Sequence, residues 1–313
     1  MKKTAFLFPG QGSQFSGMGK DFYDNYKVSK SVFDTADSVL ERKISSICFN
    51  GSDEELKQTI NTQPAIVTTS IAILEAMKQS GITASCTAGH SLGEYCAMYA
   101  AGVMSLEDTI RAIQKRAELM GSVNGGTMAA VLNASDEQLQ AGLEEGRKVG
   151  YVDIANYNSP VQVVITGDEN AVKKASEYMS ENGVKRIVPL PVSGAFHSKY
   201  MENAGVEFEE FLANLPLNDA KFPVITNVDA ELTTKAEDFR AKMPKQISSS
   251  VHWTQTIQKM VSEGVDTFIE IGPGKVLAGL NKKIVPEAAV YSVFDKESLE
   301  DVINAINEQM EVV

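Results

Sequence analysis

The segment Ile82-Thr83-Ala84-Ser85-Cys86-Thr87-Ala88-Gly89-His90-Ser91-Leu92-Gly93-Glu94-Tyr95 joins an apolar run to a helical one through a five-residue turn. Ile82 to Ala88 reads as a strand and Glu94 to Ala101 as a helix, and the residues between them spell G-x-S-x-G. In that setting the serine sits on a strained turn with its oxygen exposed, and Gly89 and Gly93 supply the space such a turn needs. The amide that follows, that of Leu92, points at a developing oxyanion. A chance match in a Gly- and Ser-rich turn is the competing reading; the strand before and the helix after favour a nucleophile, Ser91.

Working outward, Thr4 to Phe8 reads as a short buried strand, and Pro9 to Gly19 behind it is rich in Gly and Ser, leaving backbone amides exposed. Helical periodicity then runs to Ser80, with Pro64 expected in the first turn of a helix ending at Lys78. Ser105 and Asp108 match a capping pattern, and Leu106, Ile110, Ile113, Ala117 and Met120 share one face of the helix they open. From Gly125 to Pro191 the pattern changes to strand 127–132, helix from Ser135, strands 152–155 and 162–166, helix 170–182 and strand 185–190. The order β-α-β-β-α-β is that of a ferredoxin-like unit, with Ser135 and Gln138 as a capping box and Asn158-Ser159-Pro160 as turn chemistry. Residues 125–191 are therefore expected as an inserted subdomain, with 1–124 and 192–313 forming the large domain. The latter resumes with helix 200–212, strand 224–227, helix 253–262 and strand 267–271, an alternation that implies a mostly parallel α/β sheet.

The 313 residues, 43% hydrophobic and 22% charged, suffice for a large core. Three cysteines, Cys48, Cys86 and Cys96, form no CxxC pair, so neither a disulfide framework nor a metal site is expected, and a reducing, cytoplasmic compartment fits. The apolar run after Lys3 stops at Pro9-Gly10, too short for a signal peptide, and no stretch approaches the roughly 18 apolar residues of a membrane span. A net charge of −12 argues against nucleic acid.

A serine hydroxyl needs a base, and the chain offers His90, His197 and His252. His90 adjoins Ser91 in the turn and His252 stands at a helix start, which leaves His197, in a loop after the last small-domain strand. Of the aspartates between Ser91 and His197, Asp108 lies at a helix start and Asp136, Asp153 and Asp168 fall in the insert; a glutamate of this interval is the alternative, and a Ser-His dyad oriented by something other than a carboxylate is the economical reading. Arg116 lies about 80° from the centre of its helix's apolar stripe; it either lays its stem along the surface or offers a fork to a substrate carboxylate. Gly10-x-Gly12 lacks the third glycine of a dinucleotide fingerprint, and Gly272-Pro273-Gly274-Lys275 lacks the rest of a P-loop, so no nucleotide cofactor is expected.

Taken together, Phe8-Pro9-Gly10-Gln11-Gly12-Ser13-Gln14, Thr62-Gln63-Pro64-Ala65, Gly89 to Tyr95, Gly194-Ala195-Phe196-His197-Ser198 and Glu270 to Lys275 resemble the malonyl-CoA:acyl carrier protein transacylases across nearly the whole chain. The resemblance implies an α/β-hydrolase-like large domain with an inserted ferredoxin-like subdomain. It implies Ser91 as nucleophile, His197 as general base and acid, the amides of Gln11 and Leu92 as oxyanion hole, Arg116 on the malonyl carboxylate, the Gln246 carbonyl on the histidine, and Gln63 and Phe196 lining the pocket. Phe196 is similar to the residue of malonyl-selective members, and its bulk leaves little room for a branched acyl group.

It further implies a cytoplasmic monomer with malonyl-CoA as substrate, holo acyl carrier protein as the partner bringing the phosphopantetheine thiol, no tightly bound cofactor, and a role in fatty acid synthesis. Lys185, Arg186, Lys199, Lys275, Lys282 and Lys283 are candidates for docking that acidic partner, ordinary solvated lysines being the alternative. A polyketide acyltransferase, a serine thioesterase or esterase and a catalytically idle carrier-binding module are the rival readings.

Overall fold

A computed structural model describes residues 3–192 and 194–311, so Ser193 and both extreme termini lie outside the described residues. Among the described residues ten strands form two sheets: β1 Lys3–Phe8, β2 Cys86–Gly89, β3 Thr127–Leu132, β4 Val152–Ser159, β5 Gln162–Gly167, β6 Arg186–Pro189, β7 Val224–Ile225, β8 Leu232–Thr233, β9 Val265–Ile271 and β10 Ala289–Val293. The larger sheet has the order β10-β9-β1-β2-β7-β8, parallel throughout except where β8 turns back on β7. Strand β1 lies at its heart. Its alternating residues serve two cores: Phe6 and Phe8 join one apolar cluster and Ala5 and Leu7 the other, so helices cover both faces.

The helix beneath the first face spans Thr59–Lys78 and is buried nearly all round. Pro64 is therefore inside it, not in its first turn. The proline leaves the Ile60 carbonyl without its helical donor. Arg42 supplies the replacement, Nη2 donating to Ile60 O at 2.6 Å. Two expected strands are shorter than their apolar runs: 82–85 is partly exposed and only Cys86–Gly89 joins the ladder, and Thr226 and Asn227 leave the sheet beyond β7.

Between 127 and 189 the six elements occur in the expected order. Their sheet runs β4-β5-β3-β6, antiparallel throughout, with helices Asp136–Arg147 and Glu169–Glu181 packed on each other and on one face. Ser135 and Gln138 form the reciprocal cap. Ala129 and Val131 face these helices, whereas Met128 and Ala130 belong to the core of the larger unit. The chain passes in and out of the small unit side by side, Gly125 pairing with Gly194. Strand β4 also binds the segment after residue 249: Val251 N donates to Ala155 O at 2.8 Å and Ser250 Oγ to Ile154 O at 2.6 Å.

Candidate active site

The carboxyl ends of β1, β2 and β7 converge on one crevice, the place where open α/β sheets bind ligands. Ser91, at the tip of the turn after β2, has φ 52, the left-handed region that non-glycine residues rarely enter. Glycine is required on both sides. A Cβ on Gly89 would lie 1.9 Å from Gly93 C, and one on Gly93 would lie 2.2 Å from Phe8 O. The chain then enters helix Gly93–Ala100.

His197 also has a left-handed backbone, φ 54. Its Nε2 lies 2.8 Å from Ser91 Oγ, and its Nδ1 lies 3.0 Å from Gln246 O and 3.1 Å from Ser249 O. Carbonyl oxygens can only accept, so Nδ1 carries the proton and Nε2 presents its lone pair to the serine hydroxyl. Burial, with the Arg116 cation nearby, pushes the His197 imidazole down to about 3. It is neutral near pH 7, the form a general base requires. Among the described residues no carboxylate contacts it. Asp108 joins the Ser105 cap, Asp136 opens a helix, Asp153 pairs with Arg147, and Asp168 accepts from Tyr151 N. The other histidines are engaged elsewhere, His90 Nε2 with Asn158 Oδ1 at 2.8 Å and His252 stacked on Tyr157.

Arg116, on helix Leu106–Ser122, is 1% exposed, which removes the reading of a stem along the surface. Its Nη1 donates to Gln63 Oε1 at 2.8 Å, and its Nη2 to Ser91 Oγ and Gln246 Oε1, both at 3.0 Å. Its Nε has no partner among the described residues. Neutral amides therefore aim the guanidinium at the nucleophile without neutralising it. Burial pulls its affinity for a proton down, yet an arginine stays charged at any ordinary pH.

A cavity of about 100 Å³ opens beside these groups, lined by Gln11, Leu92 and Phe196 with Met120, Met128 and Asn156. The amides of Gln11 and Leu92 make no hydrogen bond among the described residues. Two of the six basic docking candidates are occupied with aromatic rings, Lys199 over Tyr151 and Lys275 over Phe294.

Three features escape sequence reasoning. The Gln246 side chain, besides its carbonyl, donates Nε2 to Ser91 O at 2.7 Å, so one residue touches nucleophile, base and arginine. Asn227 bridges the elbow, and Glu94, buried with its carboxyl pushed up to about 8, accepts the Asn227 amide at 2.6 Å. Ser249 adds a second carbonyl to the histidine. The position of Asn227 just past a strand's carboxyl end was the available signal.

The family model for the acyl transferase domain matches residues 5–298. The chain belongs to the acyl transferase family. Its place there is with the malonyl CoA-acyl carrier protein transacylases: it is 47% identical over 313 residues to the enzyme of that name from Bacillus subtilis, covering 99% of both chains. The crystal structure of malonyl CoA-acyl carrier protein transacylase from Clostridium perfringens superposes with a TM-score of 0.94 at 39% identity, over 99% of this chain and 98% of that one. A structure described as a type II PKS acyl-carrier protein in complex with its malonyl-transacylase matches with a TM-score of 0.94 at 35% identity, over 97% and 100% of the two chains. Among the described residues no helix is long and apolar enough to cross a membrane.

Proposed function

We propose that this acyltransferase moves a malonyl group from malonyl-CoA to the phosphopantetheine thiol of holo acyl carrier protein, through an ester on Ser91, and so supplies fatty acid synthesis. The observation that carries the choice of acyl group is Arg116: a buried cation with no carboxylate partner among the described residues, 3.0 Å from the serine oxygen, is a seat for an acyl chain ending in a carboxylate. An acyl group without that carboxylate leaves the cation buried and unpaired, at a cost of about 3–5 kcal/mol.

Ser91 Oγ attacks the thioester carbonyl while His197 Nε2 takes its proton. The oxyanion is met by the amides of Gln11 and Leu92, each worth about 3 kcal/mol. Collapse breaks the C–S bond, His197 returns the proton to sulfur, and coenzyme A leaves. The carrier's thiol then gives its proton to His197 and attacks the ester, and Ser91 regains its hydrogen, a ping-pong cycle. The Gln246 carbonyl holds the histidine, while Gln63 and Phe196 bound the acyl pocket.

The same reading takes 1–124 and 192–313 as an α/β-hydrolase-like domain and 125–191 as a ferredoxin-like insert, in a cytoplasmic monomer needing no tightly bound cofactor. Supply of a polyketide line is the second reading, favoured by the 35%-identical transacylase solved with a type II PKS carrier protein; the chemistry is the same.

The test is to mix the protein with malonyl-CoA alone, quench, and measure intact mass and a peptide map, with acetyl-CoA and Ser91→Ala as controls. A single malonyl adduct on Ser91, absent from both controls, is expected. Steady coenzyme A release without an adduct would mean a hydrolase, and no reaction would leave a binding module.

A further inference from the structure

Ser91 holds a backbone conformation that costs about 1–3 kcal/mol unless its surroundings enforce it. Gln246 Nε2 holds the Ser91 carbonyl at 2.7 Å, and the other side-chain contacts on the turn come from one fully buried residue just past β7. Asn227 Oδ1 accepts the Ser91 N–H at 2.7 Å, and its Nδ2 donates to Gly89 O at 2.8 Å. The Asn227 amide in turn donates to Glu94 Oε2 at 2.6 Å, on the helix that leaves the turn. One residue thus ties together the strand end, the tip and the outgoing helix.

The pairing uses an acceptor and a donor at once, which an amide side chain provides and a carboxylate or alkyl group does not. It also sorts the amides at the turn. With the Ser91 N–H taken by Asn227, the amide left to face the cavity is that of Leu92.

We propose that Asn227 is the positioning residue of the nucleophile elbow, holding Ser91 in its left-handed conformation and reserving the Leu92 amide for the oxyanion. It rests on the reading of Ser91 as nucleophile, and touches neither the substrate nor His197. A displaced elbow moves the attacking oxygen and an oxyanion donor together, a loss of about 100-fold or more in acylation. Binding of malonyl-CoA through Arg116 is left in place.

The experiment compares wild type, Asn227→Ala and Asn227→Asp for pre-steady-state coenzyme A release, KM for malonyl-CoA and thermal midpoint. In N227A, acylation falls at least about 100-fold while KM stays within about threefold. N227D keeps the acceptor but loses the donor until it is protonated, when its O–H can again bond Gly89 O. Its deficit relative to wild type therefore shrinks as pH falls from about 8 to about 5.5. All three proteins carry the same His90, Glu94, Arg116, His197, Asp229, Lys242 and His252, so a difference in pH profile belongs to position 227. Should N227A not fold, the N227D profile decides. A folded N227A acylated at near wild-type rate, or an N227D profile parallel to wild type, overturns the proposal. Failure of wild type itself to form the Ser91 adduct would instead sink the transferase reading.

Discussion

Arg116 is held by oxygens that carry no charge, which separates its placement from its neutralisation. Substituting Arg116→Ala is expected to lower malonyl transfer about 1,000-fold, the loss of a buried ion pair, while leaving acetyl transfer no worse than in wild type. The ratio of the two rates is the measurement; an unchanged ratio would show that the guanidinium does not seat the acyl carboxylate. At this scale the sequence was readable where a residue's own chemistry narrows the choice. A serine in a five-residue turn needs a base, and only three histidines exist. Arg116 was not decidable from its helix, because a side chain 80° from the apolar stripe reaches solvent or core according to what packs against that flank. The contacts of the Gln246 side chain and Asn227 span 155 and 136 residues, so no local pattern records them, and the place of Asn227 past a strand end was the one hint.

Elements were legible where their signals are local. The Ser135 cap and the small unit's strand-helix alternation lie within a few residues of what they determine. Ser135→Ala removes the acceptor for Gln138 N and should cost about 1 kcal/mol, read as a lower urea midpoint with transfer rate intact. A drop in transfer would show instead that this cap is coupled to the site. Pro64 shows the limit of local reading. A proline reads as a helix start, but here Arg42, from another part of the chain, satisfies the carbonyl it abandons, and the helix begins at Thr59. Strands β2 and β7 were over-read for a related reason: an apolar run says that a segment is buried, not where its ladder partners stop.

Across the whole molecule, buried ionisable groups, His197, Glu94 and Glu270 among them, set a pH dependence of stability. His197, pushed down to about 3, stays neutral in the fold while the unfolded chain takes up a proton below its ordinary value of 6.5, so stability is lost as pH falls from there towards 3. Glu94 and Glu270, pushed up to about 8 and about 7, stay protonated in the fold where the unfolded chain has ionised, so stability is lost as pH rises from 4.5 through those values. Above 6.5 the glutamates act first, the buried cysteine thiols adding in the same direction near pH 8.5 because burial holds them above their ordinary 9.0, and the thermal midpoint should be lower at about pH 8.5 than at about pH 6.5. Glu94→Gln keeps an acceptor for the Asn227 amide and should flatten that slope; an equal slope in the variant would assign the dependence elsewhere. The two-faced character of β3 bears on the protein's history. Met128 and Asn156 contribute a wall of the cavity from the small unit, whereas Ser91, His197 and Arg116 all stand on the larger one. Drift or exchange in the smaller unit can thus recut the chamber for a new acyl chain in descendant lineages while the reacting groups are inherited unaltered.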